Sequence, residues 1–278
     1  MKQRLFQKLL RFYIPIALFL VVLLFPFYWM VVTTFKSDRE LYDLSLNPFY
    51  IYTWSLTNVR HLLLETPFLR WLYNTLVVSL TSAFISLGTS LLAAYGIQRI
   101  RFRGSGLMGV GIFFCYLVPP TILFIPLATM VFKFRIWDSL MSLSVIYPTF
   151  LIPFCTWLLM GYFKSIPKEL EECAMMDGAG RLWVFWKVII PLSLPGILSA
   201  GIFAFTLSWN EYLYALTFIS SSLKKTVAVG LVTELVRGDV YHWGPLMAGA
   251  FLGSVPVALV YSFFVEHYVA GMTGALKE

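Results

Sequence analysis

The sequence predicts an all-α integral membrane protein of about six transmembrane helices, because its apolar runs reach the roughly 20 residues a helix needs to cross the hydrocarbon layer. Three observations lead there. Hydrophobic residues make up 59% of the 278 positions against 13% charged, and the mean hydropathy is +0.78, so charges are too few to coat a water-soluble surface of that size. The apolar residues are gathered into long runs separated by basic or polar links. Aromatic residues, 18% of the chain, recur at the ends of these runs, where rings sit at headgroup level: Tyr28 and Trp29, Trp71 and Tyr73, Trp137, and Trp209 with Tyr212.

The whole chain reads as one membrane domain. Its first run, Phe12 to Phe35, follows Lys2, Arg4, Lys8 and Arg11. Its apolar core exceeds a signal-peptide h-region and no small-x-small cleavage site follows, so a retained helix is expected. The second run is Trp71 to Gln98, the third Leu107 to Phe132, the fourth Leu140 to Phe163, the fifth Val188 to Tyr212 and the sixth Pro245 to Val269. Between the first two lies a polar loop from Lys36 to Arg70, and Leu213 to Gly244 forms a second, partly apolar excursion expected to dip back between helices. A short tail covers 270–278. Pro15, Pro26, Pro119, Pro120, Pro126, Pro148, Pro153 and Pro256 fall within runs, which predicts bent or broken helices where neighbours satisfy the freed backbone groups.

Lys and Arg gather on the cytoplasmic side of membrane proteins, and the Arg99, Arg101, Arg103 cluster gives the clearest vote on orientation. It places both termini inside, together with the segment 165–187. The net charge of +7 does not point to nucleic acid, since the basic residues form short patches beside apolar runs and not one stripe. Cys115, Cys155 and Cys173 are widely spaced, which suggests neither a disulfide framework nor a zinc site and leaves them as small apolar fillers.

The cytoplasmic segment 165–187 is the most polar interruption in the chain. Ser165 is expected to cap a helix opening near Pro167, with Glu169, Glu171 and Glu172 at its positive end. Gly178 is expected to end it in the left-handed conformation. Leu170, Cys173, Ala174 and Asp177 fall at i, i+3, i+4 and i+7, giving one nearly smooth face with Glu171 and Met175 pointing elsewhere. A second short helix, Arg181 to Val188, carries Leu182, Trp183 and Phe185 before Pro191 and Pro195 reset the chain. The bland reading is an amphipathic connector on the inner membrane surface; the sharper one is a docking knob for a groove in another protein.

The run from Glu172 resembles the signature loop of permease subunits of binding-protein-dependent ABC importers: Glu-Ala-Ala, three residues, Gly, nine residues, Ile-x-Leu-Pro. Here it reads Glu172, Cys173, Ala174, then Gly178, then Val188, Ile189, Ile190, Pro191, with size-conserving changes at Cys173, Val188 and Ile190. Ala93 to Gly104, AAYGIQRIRFRG, is similar to the second-span exit of sugar-importer permeases, and Ser208 to Leu216, SWNEYLYAL, to their fifth-span exit. The resemblance covers nearly the whole chain and is greatest to the maltose-transporter (MalG) type of carbohydrate importer.

That resemblance implies a type I importer permease whose Glu172, Cys173, Ala174, Asp177, Gly178 and Pro191 form the coupling element to an ATPase. It implies two ATP-binding cassette subunits that bind ATP and Mg²⁺, a second permease subunit completing a heterodimeric pore, and an extracytoplasmic sugar-binding protein, in the inner membrane of a prokaryote. The tail Gly271 to Glu278 resembles an extension that reaches the ATPase dimer interface, which singles out Gly274 and Lys277. The chain has no Gly-x-x-x-x-Gly-Lys-Ser/Thr loop, so ATP is expected on a partner.

Trp209, Asn210 and Glu211 are candidates for the substrate path, weighed against a role in helix pairing. Ser79, Thr81, Ser82, Ser86, Thr89 and Ser90 in the second run read as a polar path or, more blandly, as small residues at helix contacts. His61, His242 and His267 stand in no HExxH frame and no Gly-x-Ser-x-Gly occurs, so neither a metal site nor a catalytic residue is assigned and an embedded enzyme is unsupported. Two alternatives stay open: an ion-coupled secondary carrier, which would need acids inside the runs, and an ABC permease for a non-sugar solute such as glycerol phosphate.

Overall fold

The computed structural model describes residues 9–100, 102–237 and 240–274. It is helical apart from loops and one two-residue antiparallel ladder, β1 (Val236–Arg237) with β2 (Val240–Tyr241), in the segment predicted as an outer loop. Among the described residues, Arg11–Phe35, Phe68–Ile100, Leu140–Ser165 and Trp243–Val265 are long and apolar enough to cross a membrane. Two bent pairs, Ser105–Leu117 with Pro120–Lys133 and Arg181–Leu192 with Leu194–Trp209, raise the number to six if each pair is one span. By backbone contacts the chain divides into two units, Met1–Leu69 with Gly230–Val255, and Arg70–Val229 with Pro256–Glu278.

In the first unit, α1 (Ile14–Phe35) is apolar all round and buries only Val32, Thr33 and Thr34. A helix with no polar face needs an apolar surround, which lipid supplies. Its end is tied down by polar groups. Asn58, buried on α3 (Thr57–Glu65), donates to Thr34 O at 3.1 Å and Lys36 O at 2.7 Å, satisfying carbonyls that a helix C-terminus leaves open. Gly244 lies so close to the Asn58 carboxamide that no Cβ fits there.

The short helix α2 (Asp38–Tyr42) is capped by Ser37, whose Oγ accepts from Glu40 N. Burial alone pushes the Glu40 carboxyl up, but the Tyr52 and Thr53 N–H groups, the Thr53 hydroxyl and nearby Lys36 outweigh it and hold the group below its ordinary value.

The second unit is built on a stripe four residues apart: Leu143 and Tyr147, then Leu151, Cys155, Leu159 and Phe163, all fully buried. It runs along α7 (Leu140–Ile146) and α8 (Pro148–Ser165). Apolar side chains gain nothing by leaving lipid for a helix contact, so close approach and hydrogen bonds must hold such spans together. The structure supplies both. Gly109 on α5 (Ser105–Leu117) lies against Met160, and Gly196 on α12 (Leu194–Trp209) lies against the Tyr162 ring; a Cβ would stand 2.7 Å from Met160 Cε and 2.5 Å from Tyr162 Cγ. The serines of α4 (Phe68–Tyr95) divide by face: Ser79, Ser82, Ser86 and Ser90 are buried, with Ser90 donating to Ile152 O at 3.2 Å, whereas Thr81 and Thr89 are exposed. The four serines thus mark a helix contact.

The third predicted run is two helices, α5 and α6 (Phe124–Lys133), bent by 89° at Pro119 and Pro120. Proline removes a donor and clashes with the preceding turn, which breaks the helix there; the Pro120 carbonyl accepts the Tyr214 hydroxyl at 2.5 Å. The excursion after the fifth span folds back on α4: Trp71 donates to Ser222 O at 2.7 Å, Asn74 to Leu223 O and Lys225 O at 2.9 Å each, and Thr75 Oγ1 accepts from Val227 N. It contains α13 (Leu213–Phe218) and α14 (Val227–Leu235). Asp138 secures the same segment, its carboxylate accepting from Ser220 N, Ser221 N, Ser221 Oγ and Lys224 Nζ. Burial raises that carboxyl, but these bonds, led by the Ser221 hydroxyl, hold it well below the usual carboxylate range. The last helix, α15, runs Trp243–Gly274.

Candidate functional site at the loop between the fourth and fifth spans

α8 ends at Ser165, whose hydroxyl donates to Tyr162 O at 2.8 Å in the turn behind it. It therefore closes α8 and does not cap the next helix, contrary to the expectation from sequence. Extended backbone at Ile166 separates the two, and α9 (Glu169–Met176) opens after Lys168 with no side-chain cap. Glu169, Glu171 and Glu172 stand in its first turn, where carboxylates complement the helix dipole.

α9 ends in a Schellman motif. Gly178 has φ +89°, its N–H bonds to Met175 O at 3.1 Å, and Ala179 N–H reaches back to Ala174 O at 3.0 Å. Glycine carries this φ at little cost, so the expected glycine turn is present with its two reversed hydrogen bonds. A short α10 (Arg181–Val184) follows and loosens into a π-helical turn at Phe185–Ile189, burying Val184, Phe185 and Ile189. Pro191 lies exposed in the first turn of α11 (Ile190–Leu192), and the 76° bend comes just beyond it, at Ser193.

Glu172, Cys173, Asp177 and Gly178 are exposed and Ala174 is half-buried. A hollow of about 500 Å³ is lined by Ala174, Asp177, Gly178, Ala179, Gly180 and Trp183. Four of the six are glycine or alanine, so the surface can accept a side chain from another molecule at close range. Of the cysteines, Cys155 is a buried filler, whereas Cys115 and Cys173 are exposed.

Sequence reasoning missed the inner side of this element. Glu171 is the buried residue of α9, and its Oε1 lies 3.0 Å from Arg99 Nε, a charge contact without hydrogen-bond alignment. The other arm of Arg99 donates to Phe163 O at 2.5 Å and Ile166 O at 2.6 Å. Arg99 counts in the sequence only as a vote on topology; its place beside AAYG at a span exit was the available signal.

Trp209, Asn210 and Glu211 do not share one environment. Trp209 is buried against Phe205, and Asn210 is exposed, its amide donating to Thr206 O at 2.9 Å within its own helix. The Glu211 carboxylate accepts from the Tyr147 hydroxyl at 2.7 Å, Tyr214 N at 2.8 Å and Ala215 N at 3.1 Å, starting α13 and joining it to α8. Gly274 is the last residue described, and Lys277 lies outside the described residues.

These features define a class: a multi-pass helical membrane subunit that presents a helix-turn-helix between two of its spans. The chain belongs to the family of binding-protein-dependent transport system inner membrane components, whose model matches residues 86–274. It is thus a permease subunit of an ABC importer, and such a subunit works with a separate ATPase. It is 33% identical over 270 residues to the inner membrane ABC transporter permease protein YcjP of Escherichia coli (strain K12), covering 96% of this chain and 95% of that one. It is 34% identical to the sulfoquinovosyl glycerol transport system permease protein SmoH of Agrobacterium fabrum, over 97% and 94% of the two chains. It is 30% identical to the trehalose/maltose transport system permease protein MalG of Thermococcus litoralis, over 92% of each. Among solved structures, a bacterial ABC transporter involved in the import of the acidic polysaccharide alginate contains a chain of the same fold, with TM-score 0.83 at 21% identity, covering 96% of this chain and 98% of that one.

Proposed function

We propose that the chain is one of two permease halves of an ATP-driven sugar importer, lying in the cytoplasmic membrane of a prokaryote with both termini inside. The observation that carries this reading is the α9–Gly178–α10 unit, which holds Glu172 and Cys173 exposed beside a hollow lined by Asp177, Gly178 and small residues. In this reading the unit seats in a cleft of an ATP-binding cassette subunit, and Glu172 pairs with a basic group there. ATP and Mg²⁺ belong to two such subunits, since this chain has no phosphate-cradling loop. Closure of the cassettes on ATP moves the seated helices as levers and shifts the spans between inward- and outward-facing states.

The sugar class is supported by the relatives named for sulfoquinovosyl glycerol and for trehalose and maltose. A second, different permease completes the pore, and an extracytoplasmic sugar-binding protein delivers solute to the outer loops. Of the three residues singled out for the substrate path, Asn210 is the one with an exposed side chain; Glu211 is engaged in holding α13. Gly274 and Lys277 would approach the ATPase dimer interface. Filling the hollow tests the docking: Ala174→Trp should leave membrane insertion intact but abolish co-purification of the ATPase. Retention of the ATPase at the wild-type ratio would sink the reading.

A further inference from the structure

The exit of α4 grips both helices of the docking element. Arg99 sits in the π-helical turn Gly96–Ile100, a local widening that often marks functional places in helices. Its side chain is 3% exposed and that of Glu171 is 10% exposed. From the exit of α4, one guanidinium therefore reaches the end of α8 through Phe163 O, the link after it through Ile166 O, and α9 through Glu171. Tyr95, one helical turn earlier, lays its ring 4.8 Å from that of Phe185, just beyond α10. The covalent chain joins α9 to α8 only through extended backbone at Ile166, which by itself would let the helix swing.

We propose that Arg99 and Glu171 are a positioning pair that makes the docking helices move as one body with the inner ends of α4 and α8. The proposal rests on the reading of α9 and α10 as the ATPase-docking element. Without the pair, displacement at the ATPase is taken up at Ile166 and does not reach the spans. Arginine suits the task because its planar fork bonds carbonyls along one edge while another nitrogen faces the carboxylate. Burial keeps water from competing, and a buried charge that loses its partner drives the helix off its seat.

The test uses the complete transporter in lipid nanodiscs, with Cys115 and Cys173 replaced by serine and spin labels at Leu107→Cys and Met176→Cys. Both positions are 80% exposed. Leu107 reports the inner ends of α4 and α8, because Gly109 beside it packs on Ile97 and Met160; Met176 closes α9. The wild-type complex should give one narrow distance both without nucleotide and when trapped with ATP and vanadate. Glu171→Gln and Arg99→Gln should each split it into two populations in the trapped state while the ATPase stays bound. The double variant should be no worse than either single, because one link is lost in all three, and Arg99→Lys should keep more of the narrow population than Arg99→Gln. A single narrow distance in both glutamine variants, additive effects in the double, two distances in the wild type, or loss of the ATPase from both variants would overturn the link. The Met176 label also reads docking on its own: if it stays fully mobile in the assembled wild-type complex, the docking reading falls and the link with it.

Discussion

Tyr147 gives its hydroxyl to Glu211 Oε2 at 2.7 Å, joining the start of α8 to the corner between α12 and α13. Because Tyr147 is fully buried and Glu211 also accepts two backbone N–H groups, the two losses should not be equal. Tyr147→Phe removes one bond and should cost about 1 kcal/mol, the scale of interhelical bonds in membrane bundles. Glu211→Ala strands a buried hydroxyl and should cost about 1–3 kcal/mol. Adding Tyr147→Phe to Glu211→Ala should then recover stability. Thermal unfolding in detergent measures all three, and additive losses would argue against the pairing.

Two glycines on spans should respond oppositely to alanine. At Gly196 the Tyr162 ring occupies the space, so Gly196→Ala should destabilise by about 1–3 kcal/mol. At Gly88 nothing lies within 4 Å, so Gly88→Ala should be neutral or stabilising by up to about 1 kcal/mol through helix propensity. Unfolding of the isolated permease separates them; equal effects would contradict the packing described.

The segment held by Asp138 should be acid-sensitive. Its carboxyl has a lowered value in the folded state, so its contribution is complete above the ordinary value of 3.8 and is lost as pH falls below that. Asp138→Asn should lower stability at neutral pH and flatten the acid limb. Asparagine tolerates the φ of +53° at this position, so the backbone should survive the exchange. Hydrogen exchange of residues 219–227 from pH 7 to pH 3 checks it, and an unchanged acid limb in the variant would refute the assignment.

Gly178→Val should cost more at the turn than elsewhere, although no atom lies within 4 Å of a Cβ there. The penalty comes from φ +89°, which a β-branched residue resists by roughly 1–2 kcal/mol, whereas asparagine resists it less. Insertion should be normal, while ATPase binding should fall in Gly178→Val and be mostly retained in Gly178→Asn. Equal binding in both variants would show that the turn geometry is not what docking requires.

Much of this architecture was legible in the chain, for identifiable reasons. Long apolar runs announce spans because lipid demands internally bonded backbone over a fixed thickness. Gly178 announces its turn because φ and residue type are tightly linked. Paired prolines at 119 and 120 gave warning of the broken third span. What stayed hidden depends on partners remote in sequence. Nothing near Glu171 says that it, and not Glu172, turns inward, since its partner Arg99 lies on another span. Ser165 fits a cap pattern equally well in either direction, and only the path of the backbone at Ile166 decides. Glu211, read as a candidate for substrate, is seen beside α13 only once Tyr147, Tyr214 and Ala215 are brought to it.

The central claim is that this subunit moves solute only when an ATPase works on the loop around Gly178. The most direct measurement is uptake into proteoliposomes holding the permease and its partners, with and without the ATPase subunits and ATP, using maltose, trehalose and sulfoquinovosyl glycerol as probes. The account predicts uptake of a sugar only with ATPase and ATP together, abolished by Gly178→Val. Uptake that persists without the ATPase, driven by an ion gradient, would contradict it.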